Sequence, residues 1–313
     1  MADLRSQIAD LPGPATCASR TAKSVTRPGI SLYVVMELTK FRIAIVSTLS
    51  AATGYVVFGQ RVNPGLGKVF LGVLLLAMGA CTLNQFQDRD IDGRMERTRR
   101  RPIPEGVVKP GTAFALAVLL VWGGFLLLWL AHNLAAALIG LFPVVWYNGV
   151  YTYVKRLWAF AVVPGALIGA LPPAIGWTAA GGKPLDPQLL ALSFFLFIWQ
   201  LPHFWLLLLV FAGDYEKADL PSLTKLFSVR QLASLTFIWI LATSVSSLLL
   251  PVYRLTSSPW VGLSLVACGL WLVWEDSRLF RGSSDPRFLR VVSRSLNLYV
   301  LGVMALLAAD AVL

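Results

Sequence analysis

The chain has 313 residues, 57% of them hydrophobic and only 14% charged, with a mean hydropathy of +0.69. Soluble domains carry about 25% charged residues, so this composition excludes an ordinary soluble enzyme and points to a membrane. The net charge of +11 arises from 27 Lys and Arg against 16 Asp and Glu; these residues are dispersed among loops rather than gathered into the basic stripe of a nucleic-acid binder.

Residues 1–30 lack the apolar core of a cleavable signal. They are expected to form a flexible cytoplasmic extension ahead of a single membrane domain over 31–313. Nine apolar segments follow: 38–59, 67–87, 112–131, 133–152, 159–180, 187–212, 231–251, 258–276 and 292–312. Each reaches the roughly 20 residues that carry a helix across a hydrocarbon core. Long runs without alternation exclude a membrane barrel. The expected fold is therefore an all-α integral membrane bundle of nine transmembrane helices. The third and fourth segments are separated only by His132-Asn133, where a tight turn is expected. In the fifth, Pro172 and Pro173 should kink or break the helix.

Basic residues set the orientation. With the N-terminus inside, the cytoplasmic segments 1–42, 88–110, 155–156, 213–230 and 277–294 hold 23 Lys and Arg, and the outer loops hold four. The N-terminus is thus expected in the cytoplasm and the C-terminus outside. The three cysteines (17, 81 and 268) show neither metal nor redox spacing.

Two cytoplasmic loops carry chemistry. At the end of the second segment, Asn84, Asp88 and Asp92 recur every four residues, so a helix places them on one face. Negative charge at a helix C-terminus opposes the macrodipole, which a merely solvated loop does not explain. Mg²⁺ takes one or two carboxylates together with substrate phosphates and water, so Asp88, Asp92 and the amide oxygen of Asn84 are the candidate metal ligands, and Arg97 and Arg101 can donate to phosphate oxygens. Asp90 lies on another face and should cap or pair with an arginine. The second loop offers Asp214, Lys217 and Asp219. Alone, Asp214 and Lys217 read equally as a helical ion pair; beside the first motif, Asp214 and Asp219 become further metal ligands and Lys217 a phosphate contact. Lys155 and Arg156, ending the fourth segment, serve either topology or phosphate. Tyr147, Tyr151 and Tyr153 serve either as interfacial anchors or as π faces for a cation, with Tyr151 the best placed. His203 would lie deep in the membrane, either serving a ligand or satisfying a carbonyl freed by Pro202.

Asn84-x3-Asp88-x3-Asp92 resembles the first aspartate-rich motif of the UbiA superfamily of intramembrane prenyltransferases. Three stretches are similar to its protoheme IX farnesyltransferase branch: Asp88-Arg89-Asp90-Ile91-Asp92 through Arg101-Pro102; Val150-Tyr151-Thr152-x2-Lys155-Arg156 with Gly169-x-Leu171-Pro172-Pro173; and Trp199-x2-Pro202-His203-Phe204-Trp205 with Asp214-Tyr215. The chain departs from that branch at Leu157-Trp158, Ala212-Gly213 and Asp219. The resemblance implies Mg²⁺-dependent transfer, with Mn²⁺ as a substitute, of a farnesyl group from farnesyl diphosphate to the vinyl group of haem b, giving haem O. Haem b would be a substrate, not a cofactor, and His203 its candidate iron ligand, with a structural or substrate-orienting role as the alternative. Asp88, Asp92, Arg97, Arg101, Lys155 and Tyr151 would be catalytic, with Arg156 a further diphosphate contact. Implied surroundings are the lipid bilayer of a bacterial inner membrane, with the active site facing the cytoplasm and the mitochondrial inner membrane as the lesser alternative. Haem A synthase or oxidase assembly proteins would be partners; no nucleic acid is involved. A transferase with another acceptor (a quinone precursor, chlorin or lipid) and a non-enzymatic haem-binding assembly protein are the competing readings.

Overall fold

The computed structural model describes residues 31–213, 221–280 and 285–313, so the proposed extension 1–30 lies outside the described residues. Its helices are α1 (Leu32–Leu38), α2 (Phe41–Gly59), α3 (Pro64–Asp92), α4 (Pro110–Ala131), α5 (Leu134–Val145), α6 (Thr152–Val154), α7 (Val162–Ala170), α8 (Pro172–Ala179), α9 (Pro187–Val210), α10 (Val229–Ser247), α11 (Leu249–Val252), α12 (Pro259–Asp276) and α13 (Pro286–Asp310). A π-helical stretch, Trp146–Tyr151, joins α5 to α6. No strand occurs among the described residues. This is an all-α integral membrane protein.

Local chemistry explains the helix ends. Prolines 64, 110, 187, 259 and 286 stand in the first turns of α3, α4, α9, α12 and α13, where a missing N–H costs nothing. Asn133 caps α5 by accepting from the Ala136 amide at 2.7 Å, making the turn expected at His132-Asn133. Pro172 and Pro173 split the fifth segment into α7 and α8 at Leu171, as expected. Several helices begin before their apolar runs; α13 starts at 286 rather than 292. Hydropathy detects the buried stretch, and a polar first turn lies beyond it.

Among the described residues, eight helical stretches are long and apolar enough to cross a membrane. The expected span at 258–276 is present as the helix α12, but its 18 residues include Glu275 and Asp276 in the last turn. Asp276 is fully buried and accepts from Ser295 Oγ of α13 at 3.0 Å. Large apolar side chains such as Trp122, Leu130, Leu270 and Trp274 are exposed on the outer surface, which suits lipid and not water.

Two apolar cores organise the bundle. One joins α9, α10, α12 and α13 through Leu192, Phe195, Ile240, Leu265, Leu296 and Leu307. The other joins α2, α3, α4, α5 and α8 through Ala51, Val73, Leu76, Leu128 and Ile175. Between them α2 lies backbone to backbone on α8: a Cβ on Gly54 would overlap the Pro173 carbonyl, and one on Gly176 the Ala51 carbonyl. This seam fixes α5 and α8 against α2 and α3, and hence sets the end of α3 where the acids lie.

Candidate active site

The α3 helix runs unbroken through the whole acidic motif. Its 29 residues span about 43 Å at 1.5 Å per residue, beyond the roughly 30 Å of a hydrocarbon core, so its last turns stand at the membrane boundary. Asn84, Asp88 and Asp92 share the inward face and are 2%, 5% and 4% exposed. Asp90 points away and approaches Arg89 at 3.9 Å on the surface, the arginine pairing expected for it.

Four cations converge on this face from three parts of the chain. Lys155 pairs with Asp88 Oδ2, and Arg156 Nη2 reaches Asp88 Oδ1 at 3.0 Å. Arg101 Nη1 meets Asp92 Oδ2 at 2.7 Å. Lys40, in the turn between α1 and α2, donates to Asn84 Oδ1 at 3.0 Å. Among the described residues, two carboxylates face four cations, an excess of two positive charges that gives the electrostatics of an anion site. Arg156 Nε is buried without a hydrogen-bond partner among the described residues, a donor in reserve for such an anion.

By sequence Lys40 is only one of the basic residues that set the topology, and its place in the site is not legible there. It adopts a left-handed conformation, φ 48°, which turns the chain sharply between two helices. Gln85, the residue after Asn84, ties this turn down by donating to the Glu37 and Leu38 carbonyls at 2.8 and 3.0 Å. Burial pushes the Lys40 ammonium down to about 8. Burial lowers Lys155 too, opposed by the charge of Asp88. A lysine at the start of an apolar span carries no sequence mark that separates a site residue from a topology signal.

Asn84 is the hub. Its Oδ1 accepts from Lys40 and, at 2.8 Å, from the Tyr147 hydroxyl; its Nδ2 donates to Asp88 Oδ2 at 2.8 Å and Thr152 Oγ1 at 3.2 Å. Both amide lone pairs are therefore used. The carboxylates retain capacity. Asp88 accepts three bonds of about four possible, and Asp92 Oδ1 accepts none among the described residues. Two carboxylates with spare oxygens beside an anion site match the donor set Mg²⁺ takes from a protein. No cluster of three His, Cys, Asp or Glu able to hold a metal occurs among the described residues. Asp214, Lys217 and Asp219 lie outside the described residues.

The π-helical stretch builds the aromatic wall. Its wider turn stacks Tyr147 on Tyr151, with centroids 5.7 Å apart and planes 24° from parallel, and π turns recur at functional sites. Thr152 Oγ1 closes the turn on the Tyr147 carbonyl at 2.9 Å, and Gln87 Nε2 holds the Asn148 carbonyl at 2.9 Å. Lys155 Nζ lies 5.8 Å from the Tyr151 ring centre. Tyr153 is exposed beneath Arg156. Arg97 is not on the acids; its guanidinium lies 5.0 Å from the ring centre of Phe211, just after α9. His203 sits apart, bonded to Asn297 of α13 and not to a carbonyl freed by Pro202.

Residues 44–299 match the UbiA prenyltransferase family. The chain belongs to the UbiA prenyltransferase family. It is accordingly an enzyme, a prenyltransferase working within a membrane. Among relatives of this UbiA chain, protoheme IX farnesyltransferase from Geobacter sulfurreducens is 38% identical over 230 residues, 70% of this chain and 82% of that one. The protein of the same name from Thermosynechococcus vestitus is 34% identical and covers 95% of both chains. The UbiA fold itself is shared with a solved digeranylgeranylglyceryl phosphate synthase, with a TM-score of 0.71 at 16% identity over 90% of this chain and 98% of that one. A UbiA homologue from Archaeoglobus fulgidus, solved with GPP and Mg²⁺, gives 0.62 at 15% identity, over 88% of this chain and 99% of its own.

Proposed function

We propose that this enzyme transfers a farnesyl group from farnesyl diphosphate to the vinyl group of haem b, giving haem O, at the cytoplasmic side of a bacterial inner membrane. The observation that carries the reading is the convergence of Lys40, Arg101, Lys155 and Arg156 on the buried Asp88–Asp92 face. The acceptor and the prenyl length follow the names of the relatives. The positive-inside count supports the cytoplasmic orientation.

Asp88 and Asp92 would hold Mg²⁺, joined by Asp214 and Asp219 from the second loop, with Asn84 orienting Asp88. The metal, when bound, would neutralise charge on the diphosphate and ease its departure. Arg101, Lys155 and Arg156 donate to the diphosphate oxygens, with Arg97 and Lys217 as further proposed contacts, where charge builds as the allylic C–O bond breaks. The electron pair leaves with the diphosphate. The stacked faces of Tyr147 and Tyr151 lie against the allylic cation, and the apolar bundle keeps water away from it. The terminal vinyl carbon then bonds to the farnesyl carbon. Water adds at the neighbouring carbon and releases a proton, leaving the hydroxyethylfarnesyl group.

Expression in a host lacking haem O synthase, followed by haem extraction, tests this. A farnesylated haem is expected from the wild type and is lost with Asp88→Ala. Unmodified haem b alone, from well-folded wild type, would refute the reading.

A further inference from the structure

We propose that His203 is the axial ligand of an iron porphyrin within the membrane, and that Asn297 is the residue that positions it. The inference rests on the haem acceptor proposed above and adds where that acceptor is held.

His203 precedes Val210, the last residue of α9, by seven residues, about 10 Å along the axis. Asn297 follows the start of α13 at Pro286 by eleven, about 16 Å. The two helices bring these side chains together well inside the bilayer, where an ionisable group marks function by default. His203 Nδ1 lies 3.0 Å from Asn297 Oδ1. A carbonyl oxygen only accepts, so the imidazole carries its proton on Nδ1 and keeps a lone pair on Nε2. No described group hydrogen-bonds that Nε2. A metal-ligating histidine is held in the same manner, with the far N–H given to an oxygen that sets tautomer and ring plane.

Aromatic side chains stand beside the imidazole. The Trp199 and Phe204 rings flank the imidazole at 5.2 and 5.6 Å. Trp199 Nε1 is buried without a partner among the described residues, a spare donor one turn from the imidazole for an acceptor atom on a ligand. Glue between two helices requires none of these features.

The depth also agrees with the transfer site. A Cβ on Gly165 would fall 2.6 Å from the Tyr151 ring, and one on Gly169 would run into Gln200. The α7 and α9 helices are antiparallel neighbours. Stepping one turn back from Gly169 to Gly165 therefore matches stepping one turn on from Gln200 to His203. The imidazole and the Tyr151 ring thus stand at one level, each on a helix packed against α7, so iron bound at His203 would hold the porphyrin at the depth of the prenyl cation.

The test titrates the purified chain in lipid nanodiscs with haem b, reading absorbance and the ferrous iron–histidine stretch by resonance Raman. The wild type is expected to bind saturably and show that band. The chain has only two histidines, so His132→Phe should leave the band unchanged. His203→Ala should abolish it, with free imidazole restoring it. Asn297→Leu should retain the band at lower frequency and weaken haem binding about tenfold. That shift decides the matter even if His203→Ala folds poorly. A band that survives His203→Ala, follows His132, or does not move in Asn297→Leu overturns the proposal. A wild type that farnesylates haem b without histidine ligation overturns the proposal alone; one that neither binds nor farnesylates haem b overturns the functional reading as well.

Discussion

Asn84→Leu separates orienting the carboxylates from ligating the metal. Leucine keeps the same number of side-chain heavy atoms branched at Cγ, so the shape is largely retained while four hydrogen bonds are lost. The two bonds to charged groups, Lys40 and Asp88, are worth about 1.5–3 kcal/mol each. The two neutral ones, to Tyr147 and Thr152, are worth about 0.6 kcal/mol each within a membrane bundle. Bonds sharing one amide do not add fully, so a loss of about 3–4 kcal/mol is expected. Thermal unfolding in detergent measures it. In prenyl-transfer assays, a mis-set Asp88 should lower turnover about 10–100-fold. Because both lone pairs of Oδ1 already face protein donors, the Mg²⁺ concentration for half-maximal rate should stay within about twofold. Asp92→Asn, by contrast, should raise it about tenfold or more. If Asn84→Leu instead raised the Mg²⁺ requirement as Asp92→Asn does, with turnover recovering at saturating metal, Asn84 would be a ligand and the hub argument would fail.

Lys155→Met removes a cation from Asp88 and from the proposed diphosphate; turnover should fall about 10²–10³-fold, more than the binding of the prenyl diphosphate weakens. Gly165→Ala drives a methyl group into the Tyr151 ring; overpacking should cost about 1–3 kcal/mol by thermal melt, with a parallel loss of activity. Folding lowers the Lys40 pKa from its usual value of 10.5 to about 8. Between those values the unfolded chain binds a proton that the folded chain does not, so stability should rise with pH across that window. Lys40→Met should flatten that rise relative to wild type in unfolding measured from pH 8 upward, and an unchanged slope would place the lysine in solvent.

Periodicity and apolar length made the bundle legible in advance. The turn at His132-Asn133 and the break at Pro172-Pro173 were readable because a capping side chain and two missing donors act within a few residues of the chain. Helix starts were misplaced where polar first turns extend past the apolar run, as in α13. The α12 segment showed the opposite limit, since its length and its acidic last turn leave it at the margin of what spans a bilayer.

The acidic face followed from its spacing of four, a property of one helix and its own register. The partners of that face did not follow. Lys40 is 44 residues from Asn84, and Tyr147 is 63; only the packing of α2 and α5 against α3 brings them together. Arg97 shows the same division. Its charge suggested phosphate, but the end of α9 placed a phenyl ring beneath it. His203 was conspicuous as an imidazole in an apolar span, while its tautomer depended on Asn297, 94 residues away. Composition and local period thus established a membrane bundle and one acidic helix face. The assignment of each polar atom required the tertiary contacts, because a hydrogen bond is set by distances between chain segments that no local pattern encodes.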